Sequence, residues 1–321
     1  MEIKILSVIG WITILIPLAG LAEAQPKELK KIELNVFRID AGTAAARARG
    51  FFAAEGLEVN ATVTGSSTEQ MRGLSNGKFQ IITGAFDNVL AWSGKEGAEI
   101  VAIAHQTDSP SLPLFVRPGI KKWEDLRGKK IAADAVDTAY ALVLRRILLA
   151  HGLDLDRGDY QLIGVGATPK RLDSMVAGET FAGILGPPVD TSATAAGMVR
   201  MADHREVLPD YPGSIFAVNR AWAESHRAEM VSFLRARTAA VAWVRNPANR
   251  EAAIQLVADE LKMGREGATE RVDEVAKVGA LNAAGLKNVL DLRVQFGFKL
   301  PMGNSLERYY DASYFREAAG K

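Results

Sequence analysis

The stretch at residues 55–87, EGLEVNATVTGSSTEQMRGLSNGKFQIITGAFD, recurs in outline at residues 151–190, HGLDLDRGDYQLIGVGATPKRLDSMVAGETFAGILGPPVD. Gly56 aligns with Gly152, Gly65 with Gly166, Gly77 with Gly178 and Gly84 with Gly186. Each copy reads Gly-Leu, a β-rich run, a glycine with hydroxyl or small residues, an amphipathic helix stopped by glycine, then an apolar strand ending in glycine. So long a period excludes a solenoid of short repeats. It predicts two similar α/β lobes.

Outward from the first copy the alternation continues. IELNVFRI reads as a strand, TAAARARGFFAAEG as one helix ending at Gly56, and EIVAIAHQ as a strand after the copy. Strand–helix alternation of this kind argues for mostly parallel sheets flanked by helices. Between the copies, SLPLFVRPGIKKWEDLRGKKIAADAVDTAYALVLRRILLAHG reads as a crossing strand, a short helix, and the first strand and helix of the second lobe. YPGSIFAVNRAWAE reads as a strand returning to the first lobe. From Ala228 onward the pattern is helical, including ATERVDEVAKVGALNAAG and a last amphipathic stretch with Tyr309 and Tyr310. The expected division is a leader over 1–24, the first lobe over 25–112, the second over 113–212, and a return to the first over 213–321. Two crossings imply a cleft that closes by hinge motion.

Composition removes several functions. Lys and Arg number 39 against 38 Asp and Glu, a net charge of +1, and no basic–aromatic interleaving marks a nucleic-acid surface. The chain has no cysteine, which excludes disulfides, thiolate metal sites and a thiol nucleophile. His105, His151, His204 and His226 lack metal-binding spacing, with His105 alone near a crossing. No Gly-x-Ser-x-Gly elbow occurs, GVGATP lacks the third glycine of a dinucleotide fingerprint, and LRGKK lacks the upstream glycine of a phosphate loop. No cofactor is expected. Residues 1–24 carry Lys4, an apolar run broken by Pro17 and Gly20, and Ala22-Glu23-Ala24, the order of a cleaved signal peptide; an uncleaved anchor is the alternative.

The ordered set ARGFFAAEGLEV, GSSTEQMRGLSNGKFQIITGAFD, WEDLRGKKIAADAVDTAY and GLDL…MVAGETFAGILGPPVD resembles the periplasmic substrate-binding proteins of ABC importers. More narrowly, it resembles the group that binds sulfonates, taurine, nitrate and thiamine precursors. The resemblance implies the two-lobed periplasmic binding protein fold of type II, a small-molecule ligand between the lobes, an inner-membrane permease and ATPase as partners, and a monomer working in the periplasm. A thiamine-precursor or pyrimidine binder is one alternative, an exported enzyme or a sensor-linked receptor on the same scaffold another.

Ligands of open α/β sheets sit beyond the carboxyl ends of strands. That rule selects Asp40, Gly42 and Thr43 after the first strand, Ser66, Ser67 and Thr68 after the second, and Asp87 and Asn88 after the third. In the second lobe it selects Asp137, Thr138 and Tyr140, then Gly186 and Pro187 with a mainly loop-shaping part. Plainer readings stand beside these: Asp87, Ser66 and Asp137 as helix caps, Asp40 and Thr43 as a turn around Gly42, and Tyr140 as core packing. Helix N-termini with hydroxyls favour an anionic group, while Asp40, Asp87 and Asp137 oppose a small bare anion. Together they rank an amino-sulfonate or a polar nitrogen-containing molecule above nitrate. Arg38, Arg47, Arg49 and Arg72 are candidates to supply positive charge there, with solvated surface charge as the plainer reading.

Overall fold

The computed structural model describes Met1 and residues 28–107 and 110–320; apart from Met1, the expected leader lies outside the described residues. The strands are β1 Lys30–Val36, β2 Leu57–Val63, β3 Ile81–Gly84, β4 Ile100–His105, β5 Pro113–Val116, β6 Lys130–Ala133, β7 Gln161–Gly164, β8 Ala182–Ile184, β9 Val199–Asp203 and β10 Ile215–Asn219. The first helices are α1 Ala41–Ala48, α2 Phe51–Ala54, α3 Ser67–Ser75, α4 Phe86–Trp92, α5 Ala139–Ala150, α6 Thr168–Val176 and α7 Val189–Ala195. The return segment adds α8 Arg220–Ser225, α9 Arg227–Arg245, α10 Arg250–Leu261, α11 Arg265–Asp273, α12 Ala283–Gln295 and α13 Ser313–Ala318.

Two five-stranded sheets carry the two lobes, in the orders β2-β1-β3-β10-β4 and β7-β6-β8-β5-β9. The orders are equivalent. In each, three parallel strands are followed by one antiparallel strand that has crossed from the other half of the chain, and then by an edge strand. β3 is central and wholly buried, which is why its run is apolar up to Thr83, the polar residue near its carboxyl end. The duplicated pattern therefore folds as a duplicated sheet.

Three boundaries differ from the sequence expectation. The helix expected up to Gly56 is broken at Gly50, whose φ of 73° turns the chain left-handed and separates α1 from α2. In the second copy Leu153 does not open the strand as Leu57 does. A turn held by Arg127 and Arg157 on Asp159 intervenes, and β7 begins at Gln161. The helix expected through Gly285 stops at Asp273 because the following backbone pairs elsewhere: Gly279 and His105 exchange N–H···O bonds of 2.9 and 3.1 Å.

The two crossings are joined to one another. Gln106 N and Thr107 N both donate to Ser214 O, at 2.8 and 3.1 Å, and Ser214 N donates to Thr107 Oγ1 at 2.8 Å. Gly213 permits this approach, since a Cβ there would lie 2.2 Å from Thr107 Oγ1. α12 packs against α4 of the first lobe and α5 of the second. Its N-cap Asn282 donates its N–H to His105 Nε2 at 3.1 Å, and its Gly285 lies against Asp210 O of the second crossing. Among the described residues no helix is long and apolar enough to cross a membrane.

Candidate ligand-binding site

At the carboxyl end of β1, Asp40 caps α1. Its Oδ1 accepts from Thr43 N at 2.6 Å, while Oδ2 accepts from Gln106 Nε2 and from Arg237 Nη2, the latter at 2.9 Å. Arg237 stands on α9 and is 1 % exposed. Room for its guanidinium comes from Gly42, where a Cβ would meet Arg237 Nη1 at 2.7 Å. Burial alone would raise the Asp40 carboxyl, but Arg237, the Thr43 N–H and Gln106 together hold it below its ordinary value. Gly42 and Thr43, both expected at the ligand, are buried beneath α9.

A cavity of about 190 Å³ opens beside this pair. Phe37, Arg38 and Asp40 line it from the first strand end, Thr83 from β3, Gln106, Thr107 and Ser214 from the two crossings, Arg237 from α9, and Arg271 and Glu274 from the end of α11. The lining is polar at the strand ends and apolar at Phe37, Val275 and Ala276. Arg237 and Arg271, on helices of the return segment, escaped the strand-end rule, whereas Gln106 sits at the carboxyl end of β4 and was read as part of that strand. Only His105, one residue before Gln106, had marked the first crossing.

Asp87 lies at the other corner of the lobe, and it does not cap α4. Ala85 holds the cap position, and Asp87 in the first turn is bonded to Arg293 Nη1 of α12 at 2.5 Å. Both side chains are buried. Burial pushes the Asp87 carboxyl up to about 6, against the pull of Arg293, and the charges of Asp137 and Asp134 in the second lobe push the same way. Asn88 is half-buried beside it, with its Nδ2 near Gly84. Beside Gly84, Gln70 of α3 ties β1 to β3 by donating to Asn35 O and Thr83 O at 3.1 and 3.2 Å.

The other expected residues are placed as follows. Ser66 caps α3 by accepting from Glu69 N at 3.2 Å; Ser66 and Thr68 are exposed and Ser67 is half-buried. Asp137 makes no cap: Thr138 holds that position on α5, and its hydroxyl turns to Asp134 Oδ1 at 2.5 Å. Tyr140 packs on the core and is pushed above its ordinary value by burial and by Asp134. Tyr211, on the second crossing, is raised by burial and then by Asp87 and Tyr140, which puts these groups from both lobes within electrostatic reach. Gly186 packs where a Cβ would meet Ser111 O at 2.6 Å, and Pro187 is exposed. Among the described residues no cluster of His, Asp or Glu is arranged to hold a metal ion.

This architecture recurs in solved structures. The periplasmic nitrate-binding protein of Synechocystis PCC 6803 is 14% identical, with a TM-score of 0.74 over 91% of this chain and 89% of its own. The periplasmic aliphatic sulphonate binding protein of Escherichia coli is 17% identical, with a TM-score of 0.68 over 83% and 86%. A desulfurization enzyme is 16% identical, with a TM-score of 0.64 over 91% and 99%. At these identities the likeness is one of fold. Among curated proteins no sequence matches closely enough to count as a relative. The model of the family described as NMT1/THI5 like matches residues 40–250, and the chain belongs to that family.

Proposed function

We propose that the chain is the extracytoplasmic solute-binding component of an ABC importer, in which a small polar organic molecule is captured between the lobes by hinge closure. The observation that carries this reading is the cavity at the strand ends of the first lobe, beside the paired crossings, where polar donors meet an apolar lining. A sulfonate, a taurine-like molecule or a nitrogen-containing organic molecule suits its donors, Thr83, Gln106, Arg237 and Arg271. Two of the acids expected to repel an anion are already answered, Asp40 by Arg237 and Asp87 by Arg293. A cleaved leader over 1–24, action as a monomer in the periplasm, a second lobe over 113–212 and delivery to a membrane permease and ATPase belong to the same reading. The nitrate- and sulphonate-binding proteins of the same fold support it.

An exported enzyme is the second reading, favoured by the desulfurization enzyme of similar fold and by a buried carboxyl near 6, the range of a general base. A thermal-shift screen against sulfonates, taurine, amino acids, nitrate, aromatic acids and pyrimidines tests both. A ligand at a hundred times its Kd stabilises by about 2.7 kcal/mol, a rise of roughly 5 °C for a chain of this size. A shift by one chemical class without consumption of the compound supports the binding protein. Turnover over hours supports the enzyme.

A further inference from the structure

The charges around the cavity do not cancel. Three guanidinium groups and two carboxylates line it. Arg38 pairs with Glu274 at 2.7 Å, and Arg237 with Asp40 at 2.9 Å. The third, Arg271, has no carboxylate of the described residues within ion-pair distance, and its Nη1 is buried without a hydrogen-bond partner. Burial, and then the nearby charge of Arg38, depress its proton affinity. A guanidinium nevertheless stays charged in proteins, so one positive charge in the pocket is unanswered. Arg271 is half-buried, and Glu274, Asp40 and Glu270 act on it only at a distance; a partly desolvated cation without a direct partner is destabilised.

The remaining surface is of a different kind. Phe37, which lines the cavity, is 47% exposed, and Val275 and Ala276 line it too. A cavity of about 150 Å³ holds benzene, so one of about 190 Å³ holds one ring with a small head group. Nitrate would leave most of it empty. A zwitterion's ammonium would look to Asp40, whose oxygens already accept from Thr43 N, Gln106 and Arg237.

We infer that the pocket takes an aromatic monoanion of one ring, its carboxylate or sulfonate on Arg271 and its ring on Phe37. This rests on the solute-binding reading and narrows it. Arg271 is then the residue that sets the charge of the ligand, and Phe37 the residue that sets its shape.

The test is calorimetric titration at pH 7 with benzoate, benzenesulfonate, propane-1-sulfonate, taurine, nitrate and a neutral pyrimidine. Benzoate or benzenesulfonate binds tightest, and propane-1-sulfonate more weakly. Arg271→Gln loses tenfold or more of the aromatic anion's affinity, and Arg271→Lys recovers part of it. Phe37→Ala weakens the aromatic probes more than the alkyl one. Unliganded Arg271→Gln melts at or above the wild-type temperature, because no partner is lost; a merely structural arginine would lower it. Wild-type affinity in Arg271→Gln, or tightest binding of taurine, nitrate or the pyrimidine, overturns the inference and leaves the solute-binding reading standing. Failure of every probe and every class in the wider screen overturns both.

Discussion

Asp40 and Asp87 end equivalent strands of one lobe, and each meets an arginine from the return segment, yet their carboxyls are displaced in opposite directions. Asp40 accepts from a backbone N–H, an amide and a guanidinium. Asp87 has Arg293 alone, its Oδ1 is without a partner, and two carboxylates of the second lobe act on it. In the first corner the carboxylate has its full set of donors, while Arg237 Nε and Nη1 are buried without partners. The second is a junction where Asp137 and Asp134 of the second lobe add negative charge near a buried acid. A counterion alone does not fix the state of a buried carboxylate; the number of donors and the charges across the cleft decide it.

The largest effect should come from breaking the first corner. Arg237→Met leaves Asp40 ionised and unpaired, and should cost about 3–5 kcal/mol in urea unfolding at pH 7. Arg293→Met should cost less, and less at pH 5 than at pH 8, because Asp87 can take up a proton. Equal costs for the two variants at both pH values would remove the contrast.

The two acids should also have opposite pH signatures. Asp87 holds its proton up to about 6 in the folded chain, against 3.8 as the ordinary value. Its contribution is therefore full below 3.8 and is lost as pH rises through about 6, on the order of 3 kcal/mol, and Asp87→Asn should flatten that slope. Asp40, held below 3.8, contributes stability above that pH and loses it as pH falls through the depressed value. Urea midpoints from pH 3 to 8 for the wild type and the two Asn variants would separate these contributions.

Smaller changes sharpen the comparison. Gln106→Leu removes one donor from Asp40 and should cost about 1 kcal/mol while moving that carboxyl upward. Asp137→Asn should move Asp87 slightly below about 6, read by carboxyl carbon NMR, with no measurable loss of stability because Asp137 is exposed. No movement of Asp87 would mean that the second lobe does not act on it.

Much of the lobe architecture was legible because its signals are local. Gly77 and Gly178 end their helices with φ of 80° and 82°, and Ser66 caps where a hydroxyl precedes an amphipathic run. The partners of the strand-end acids were not legible in the same way. An acid set in IITGAFDN demands a counterion, but nothing local says which of 39 basic residues supplies it. Arg237 and Arg293 look like ordinary helical arginines until tertiary packing turns them inward. Asp137 and Asp87 carried the same capping signal as Ser66, and their helices begin at neighbouring residues instead.

The arginine partners of the first lobe lie 197 and 206 residues beyond their acids. During synthesis, the strands β5 to β9 of the second sheet are all made before β10 and the helices that carry Arg237 and Arg293. The middle of the chain can thus form its sheet while both ends of the first lobe still await each other, reversing the usual order in which the N-terminal unit folds first. Until Arg293 emerges, Asp87 has no reason to leave water, and the nascent first lobe has an electrostatic reason to stay open.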